Sequence, residues 1–171
     1  MEPVSDAELG SLVSVAKETL RTHGRPCEVS PDQVRGWLST DTPYPNPPNE
    51  EVMRNPYLLI HEIVEIDEVL KMGLRITKDV IVKNLDAVEE AHLRAATVEL
   101  RVALDLGAFD HVRGRLDDVR AWSEDPTVSE DNKRQYARLY AETKRALESR
   151  IATAPQGQET SIQTSTQSIF R

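Results

Sequence analysis

Residues 55–73 read NPYLLIHEIVEIDEVLKMG and carry the strongest helical signal in the chain. Asn55 and Pro56 mark a helix start, because proline fits the first helical position, and Gly73 supplies the stop. Apolar side chains form one stripe and fill both of its flanks: Leu59, Ile63, Ile66 and Leu70, with Leu58, Ile60, Val64 and Val69. So much apolar circumference predicts a central helix over about residues 55–72.

The following stretch predicts a second long helix that pairs with the first. Thr77 and Asp79 signal its start, and Gly107 follows its end, so we expect a helix over residues 77–106. The β-branched residues at 76–82 also suggest a strand, but charged residues interrupt them and no second strand is available for pairing. The two helices are therefore predicted to form a central antiparallel αα-hairpin.

The remaining helical signals complete an all-α fold. A first helix starts at Ser5 or Asp6, a short one follows Ser30, and two more follow Gly107 and Ser129. These patterns predict a single-domain helical bundle of about five or six helices over residues 1–152, with a proline-rich linker at 42–49. Residues 153–171 are rich in Ser, Thr and Gln and are predicted to be a polar disordered tail.

Composition excludes several classes of function. The 171 residues carry a formal charge of −8, which would repel nucleic acid or an anionic membrane. No apolar run approaches the roughly 20 residues that a membrane span requires. The single Cys27 rules out an internal disulfide framework and agrees with a cytoplasmic location.

Ionisable residues interrupt the apolar face of the predicted 77–106 helix. On a helical wheel Glu89, His92 and Glu99 share the stripe occupied by Ile81, Leu85, Val88, Ala96 and Ala103. Burying such groups is costly unless they are paired, which marks this face as a candidate site.

A register for the hairpin places these residues opposite acids of the first helix. A turn centred near residue 75 puts Glu62 opposite Glu89 and Glu65 near Asp86, with His92 one turn further along. Pairs spaced i,i+3 on facing helices suit a cation bound between them. We therefore predict a divalent metal site on Glu62, Glu65, Glu89 and His92. Glu99 lies roughly 15 Å from Glu89 along the helix and needs a separate partner.

Three motifs resemble parts of known metal proteins. Glu89-x-x-His92 resembles one half of the ferritin-like di-metal signature, and a homodimer would supply the second half by symmetry. His61-x-x-x-Glu65 is similar to one haemerythrin ligand pair, although the companion HxxxH is missing.

Glu62-x-x-Glu65 is similar to the first motif of the all-α nucleotide pyrophosphatases, which hold magnesium on carboxylates and hydrolyse nucleoside triphosphates. That resemblance implies a metal-dependent hydrolase acting on a phosphate-containing substrate. The second motif of that family is ExxD, whereas this chain has Glu89-x-x-His92. Imidazole favours Mn, Fe or Zn over Mg, so all four ions stay candidates.

The same residues also fit a protein without catalysis. Arg94, Arg101, Arg113 and Arg115 are available to pair with the acids in a structural polar network. The bundle would then act as an interaction module that presents the proline segment around Tyr44 and Tyr57, or the polar tail, to a protein partner. A core in which arginines pair with the carboxylates would favour this alternative.

Overall fold

The computed structural model describes residues 2–44 and 46–153 and contains only helices and their connections in these ranges. The helices are α1 (Asp6–Thr22), α2 (Pro31–Leu38), α3 (Asn49–Arg54), α4 (Pro56–Lys71), α5 (Val80–Lys83), α6 (Leu85–Asp105), α7 (Phe109–Glu124) and α8 (Glu130–Thr153). The all-α prediction is confirmed.

The capping residues read from the sequence act as expected. The Ser5 hydroxyl accepts a hydrogen bond from the backbone N–H of Glu8 at 3.2 Å and starts α1. Ser30 and Gln33 form a reciprocal capping box at α2, and the Asn55 side chain accepts from two amides in the first turn of α4. Each cap satisfies amides that the helix leaves unpaired.

The chain divides after Glu99 into two compact units. In the first unit α4 packs against α1, α2 and α3. Its buried residues extend almost around its circumference: Tyr57, Leu59, Ile60, His61, Ile63, Val64, Glu65, Ile66, Asp67, Glu68 and Val69. The predicted central helix is therefore confirmed, and it carries ionisable groups into the core.

The predicted helix over residues 77–106 is wrong in one respect, because the chain breaks at Asn84. This residue has φ −135° and ψ 40°, which separates α5 from α6. Its side-chain amide donates to the carbonyl of Val80 at 2.8 Å, and such local bonds compete with the helical ladder. The short helices α3 and α5 add to the five or six that the sequence predicts.

The ion pairs between α4 and α6 differ from the predicted register. It sets Glu90 opposite His61 and Lys83 opposite Glu68, whereas the structure pairs His61 with Glu99 and Glu68 with Arg94. The antiparallel direction is confirmed, because the pairing runs in opposite senses along the two helices. Residues 72–84 are not a tight turn, so α6 begins later than expected.

In the second unit, α7 and α8 pack against each other. The Trp122 and Tyr136 rings lie 5.5 Å apart between centroids, and the Arg115 guanidinium lies 5.0 Å from the Trp122 ring. The domain boundary at residue 152 stays a prediction. Of the predicted tail, Thr153 ends α8 and residues 154–171 lie outside the described residues.

Candidate functional site: a buried histidine and carboxylate cluster

His61 lies in the middle of α4 with 3% of its surface exposed. Its Nδ1 lies 2.8 Å from Oε2 of Glu99, which is fully buried, and its Nε2 lies 3.8 Å from Oε2 of Glu65. An ionised carboxylate accepts hydrogen bonds but donates none, so Nδ1 is the donor of this contact where the Glu99 carboxyl is ionised. The ring therefore directs Nε2 toward Glu65.

A second imidazole lies beside the first. The rings of His61 and His92 are 4.7 Å apart between centroids and meet edge to face at 64°. We call His61, Glu65, His92 and Glu99 the His61 cluster. It brings two imidazoles and two carboxylates together between α4 and α6, and buried carboxylates require compensating positive charge.

Further along α4, buried acids pair with basic side chains. We call Arg25, Asp67, Glu68, Lys71 and Arg94 the Glu68 network. Glu68 accepts from Arg25 and, at 2.6 Å, from Nη1 of Arg94. Asp67 lies 3.4 Å from Arg25 and 2.6 Å from Lys71. The network ties the segment after α1, helix α4 and helix α6 together.

The pKa of Glu68 reports the balance within this network. Burial raises the pKa of the Glu68 carboxyl, but the hydrogen bonds and charges of Arg25 and Arg94 together lower it by more. The pKa therefore lies below its ordinary value. Glu68 is therefore ionised at neutral pH and contributes as a partner of the two arginines.

The structure brings together only some of the residues predicted to bind metal. Glu65 and His92 belong to the His61 cluster, whereas Glu62 and Glu89 are half-buried on α4 and α6. Oε1 of Glu89 is buried with no hydrogen-bond partner. Across residues 2–44 and 46–153, no three His, Cys, Asp or Glu side chains are arranged to hold a metal ion. The four-residue metal set stays a prediction.

Sequence reasoning did not identify the partnership between His61 and Glu99. It placed Glu99 on an apolar face and required a separate partner, and that partner is His61. One signal was present, because His61 and Glu65 are spaced i,i+4 on the same face of a strongly apolar helix. The contribution of Arg25 had no comparable signal, since it lies in a connection.

A surface groove of about 610 Å³ lies between α1 and the segment 26–31. Lys17 and Glu28 line it and form an ion pair at 3.5 Å. Cys27 also lines it, but burial raises the pKa of this thiol. A thiol that stays protonated is a poor nucleophile, which argues against covalent chemistry there.

Comparison with known proteins identifies no relative. No protein-family model matches the chain, and no curated protein or solved structure matches it either. Across the described residues, no helix is long and apolar enough to cross a membrane. The functional inference therefore depends on the two clusters and on the exposed surface.

Proposed function

We propose that this chain is a non-catalytic interaction module whose buried charges determine how its helices pack. The main support is Glu68, which is 5% exposed and accepts hydrogen bonds from both Arg25 and Arg94. A carboxylate held by two arginines is satisfied within the protein and is not available as a metal ligand. Such buried charges set the register between elements.

The proline segment is the surface that we propose for a protein partner. Tyr44 is 42% exposed, and the prolines at 43, 47 and 48 are exposed as well. Both ends are tied down, because the Asp41 amide donates to the Lys78 carbonyl at 2.6 Å and Asn49 donates to the Leu38 carbonyl at 3.0 Å. Tyr57 is buried on α4 and does not belong to this surface.

A proline-rich segment of this kind fits a partner with an aromatic-lined groove that accepts polyproline II peptides. We expect purified SH3 or WW domains to bind the full chain, and Tyr44→Ala combined with Pro47→Ala to weaken that binding at least roughly tenfold. Isothermal titration calorimetry measures both affinities. Pro126→Ala, at an exposed proline outside the segment, is the matched control and should leave binding unchanged. If neither domain type binds the unmodified chain, the segment is not a polyproline ligand.

Divalent metal binding is the second candidate function, and the geometry of His61 favours it. Glu99 holds Nδ1, and Nε2 faces a carboxylate oxygen at 3.8 Å. Metal-binding histidines typically donate their other ring N–H to a carboxylate in this way. The imidazoles favour Mn, Fe or Zn over Mg.

A thermal melt separates the two candidates. The protein is first stripped of metal with EDTA. An ion that binds only the native state then stabilises it by about 2.7 kcal/mol when its free concentration is 100 times the dissociation constant. Metal binding predicts a higher melting midpoint with Zn²⁺, Mn²⁺ or Fe²⁺ and a smaller rise with Mg²⁺. The interaction module predicts the same midpoint with all four ions, and that result would remove the metal candidate.

Three finer points stay predictions of the sequence. They are hydrolysis of a phosphate-containing substrate, assembly as a homodimer, and a cytoplasmic location. The deep burial of His61, Glu65 and Glu99 suits an ion with a structural role better than one that exchanges substrate.

A further inference from the structure

The donors nearest to one another between α4 and α6 differ from the set that the sequence predicts. This inference rests on the second candidate function, divalent metal binding. We propose that the ion is held by His61 Nε2, Glu65 and His92, and that Glu99 is a positioning residue that orients His61 without touching the ion.

The separation of the first two donors fits a shared ion. Bonds to zinc are about 2.0–2.2 Å long, so two ligand atoms on one tetrahedral ion lie roughly 3.4 Å apart. Nε2 of His61 and Oε2 of Glu65 are 3.8 Å apart, so a shift of a few tenths of an ångström closes the gap. The i,i+4 spacing on α4 holds both side chains on one face of the helix.

The third donor lies at a suitable distance but has to turn. Two imidazoles on one tetrahedral ion place their ring centroids roughly 5 Å apart, and those of His61 and His92 are 4.7 Å apart. In the proposed site, His92 rotates about its side-chain torsions to bring a ring nitrogen to the ion. Before this rotation, no three His, Cys, Asp or Glu side chains of the described residues are arranged to hold an ion, although the His61 and His92 rings are already close enough to share one.

Glu89, half-buried on α6, carries a buried oxygen atom that adds a second observation to the proposal. It precedes His92 by three residues on α6, and its Oε1 is buried without a hydrogen-bond partner in the described structure. Buried carboxylate oxygens are normally satisfied, and an orphaned one calls for a missing partner. A cation beside His92 would provide that partner, and Glu89 would then be the fourth donor to the ion.

Glu99 acts through His61 in this arrangement. Its carboxylate accepts from Nδ1 at 2.8 Å, which leaves the lone pair on Nε2 and fixes the plane of the ring. Because Glu99 is fully buried, water does not compete for this bond. The proposed ion therefore binds a neutral, oriented imidazole.

The test is a Zn²⁺ titration by calorimetry, with Co²⁺ absorption spectra as a second readout of the ligand set. We expect the unmodified chain to bind one ion and Glu99→Gln to bind roughly 10- to 100-fold more weakly with the same stoichiometry. Glu90→Gln, on the same helix with its side chain 53% exposed, is the matched control and should bind like the unmodified chain.

Two further variants keep the inference testable if Glu99→Gln fails to fold. Glu65→Gln and His92→Gln each remove a direct ligand and should weaken binding by more than roughly 100-fold, with an altered Co²⁺ spectrum. If the unmodified chain binds no ion, the metal candidate itself fails. If it binds but these variants and Glu99→Gln bind equally well, metal binding stands and this ligand assignment is overturned.

Discussion

Replacing Glu99 with Ala is expected to lower the free energy of unfolding by about 3 kcal/mol, the largest effect that we predict for a single polar residue. Glu99 is fully buried, and its removal leaves the Nδ1–H of a buried histidine without the acceptor at 2.8 Å. It also leaves a cavity in a packed interior. Urea denaturation followed by circular dichroism measures the change.

Glu99→Gln separates the hydrogen bond from the charge. The amide oxygen can still accept from His61, so we expect a loss of only about 1 kcal/mol. Glu90→Ala serves as the surface control, because the Glu90 side chain is 53% exposed on the same helix, and it should change stability by no more than about 0.5 kcal/mol. A loss below about 1 kcal/mol for Glu99→Ala would show that the pair contributes little.

Replacing Glu68 with Ala is expected to cost about 2 kcal/mol. Breaking a fully buried ion pair costs about 3–5 kcal/mol, but the Arg94 side chain is 53% exposed and can turn to water, which reduces the loss. Arg25 is 24% exposed and depends more on the carboxylate. A double-mutant cycle between Glu68 and Arg25 should therefore give about 1–2 kcal/mol, more than the cycle with Arg94.

The exposed pair of Glu18 and Arg21 is the control cycle for this prediction. Their side chains are 60% and 64% exposed, so their coupling should be no more than about 0.5 kcal/mol. Equal couplings for the buried and exposed pairs would contradict a structural role for the Glu68 network.

The contribution of Glu68 to the free energy of unfolding should depend on pH in a defined direction. Because the folded pKa of Glu68 lies below its ordinary value, its contribution is complete above the unfolded pKa of about 4.3 and is lost as pH falls through the folded pKa. The stability difference between the unmodified protein and Glu68→Gln should therefore shrink as pH is lowered from 5 toward 3. Urea midpoints over this range measure it.

The sequence predicted most helix positions because local signals specify them. Ser30-Pro31 and Asn55-Pro56 carry their own capping chemistry, and both α2 and α4 start where these residues predict. The apolar circumference of α4 likewise predicted its central position. The break at Asn84 was missed because a single asparagine inside a helical pattern is tolerated in many helices.

The candidate site was harder to predict because it depends on register. Local spacing identified Glu89, His92 and Glu99 as ionisable residues on the apolar face of one helix. Pairing them required the relative position of α4 and α6, which changes with every residue assigned to the connection. Assuming a tight turn near residue 75 set His61 opposite Glu90, whereas in the structure His61 contacts Glu99 and the ring of His92.

The sequence alone predicts the all-α class, the central α4 helix and the presence of ionisable groups on the apolar face of the following helix. These follow from periodicity and capping, which act over a few residues. The pairing of His61 with Glu99 and the contacts of Arg25 and Arg94 with Glu68 depend instead on the tertiary structure. Those partners are separated by 26 to 43 positions in the chain, and packing of the whole unit, rather than any local preference, brings them within hydrogen-bond distance.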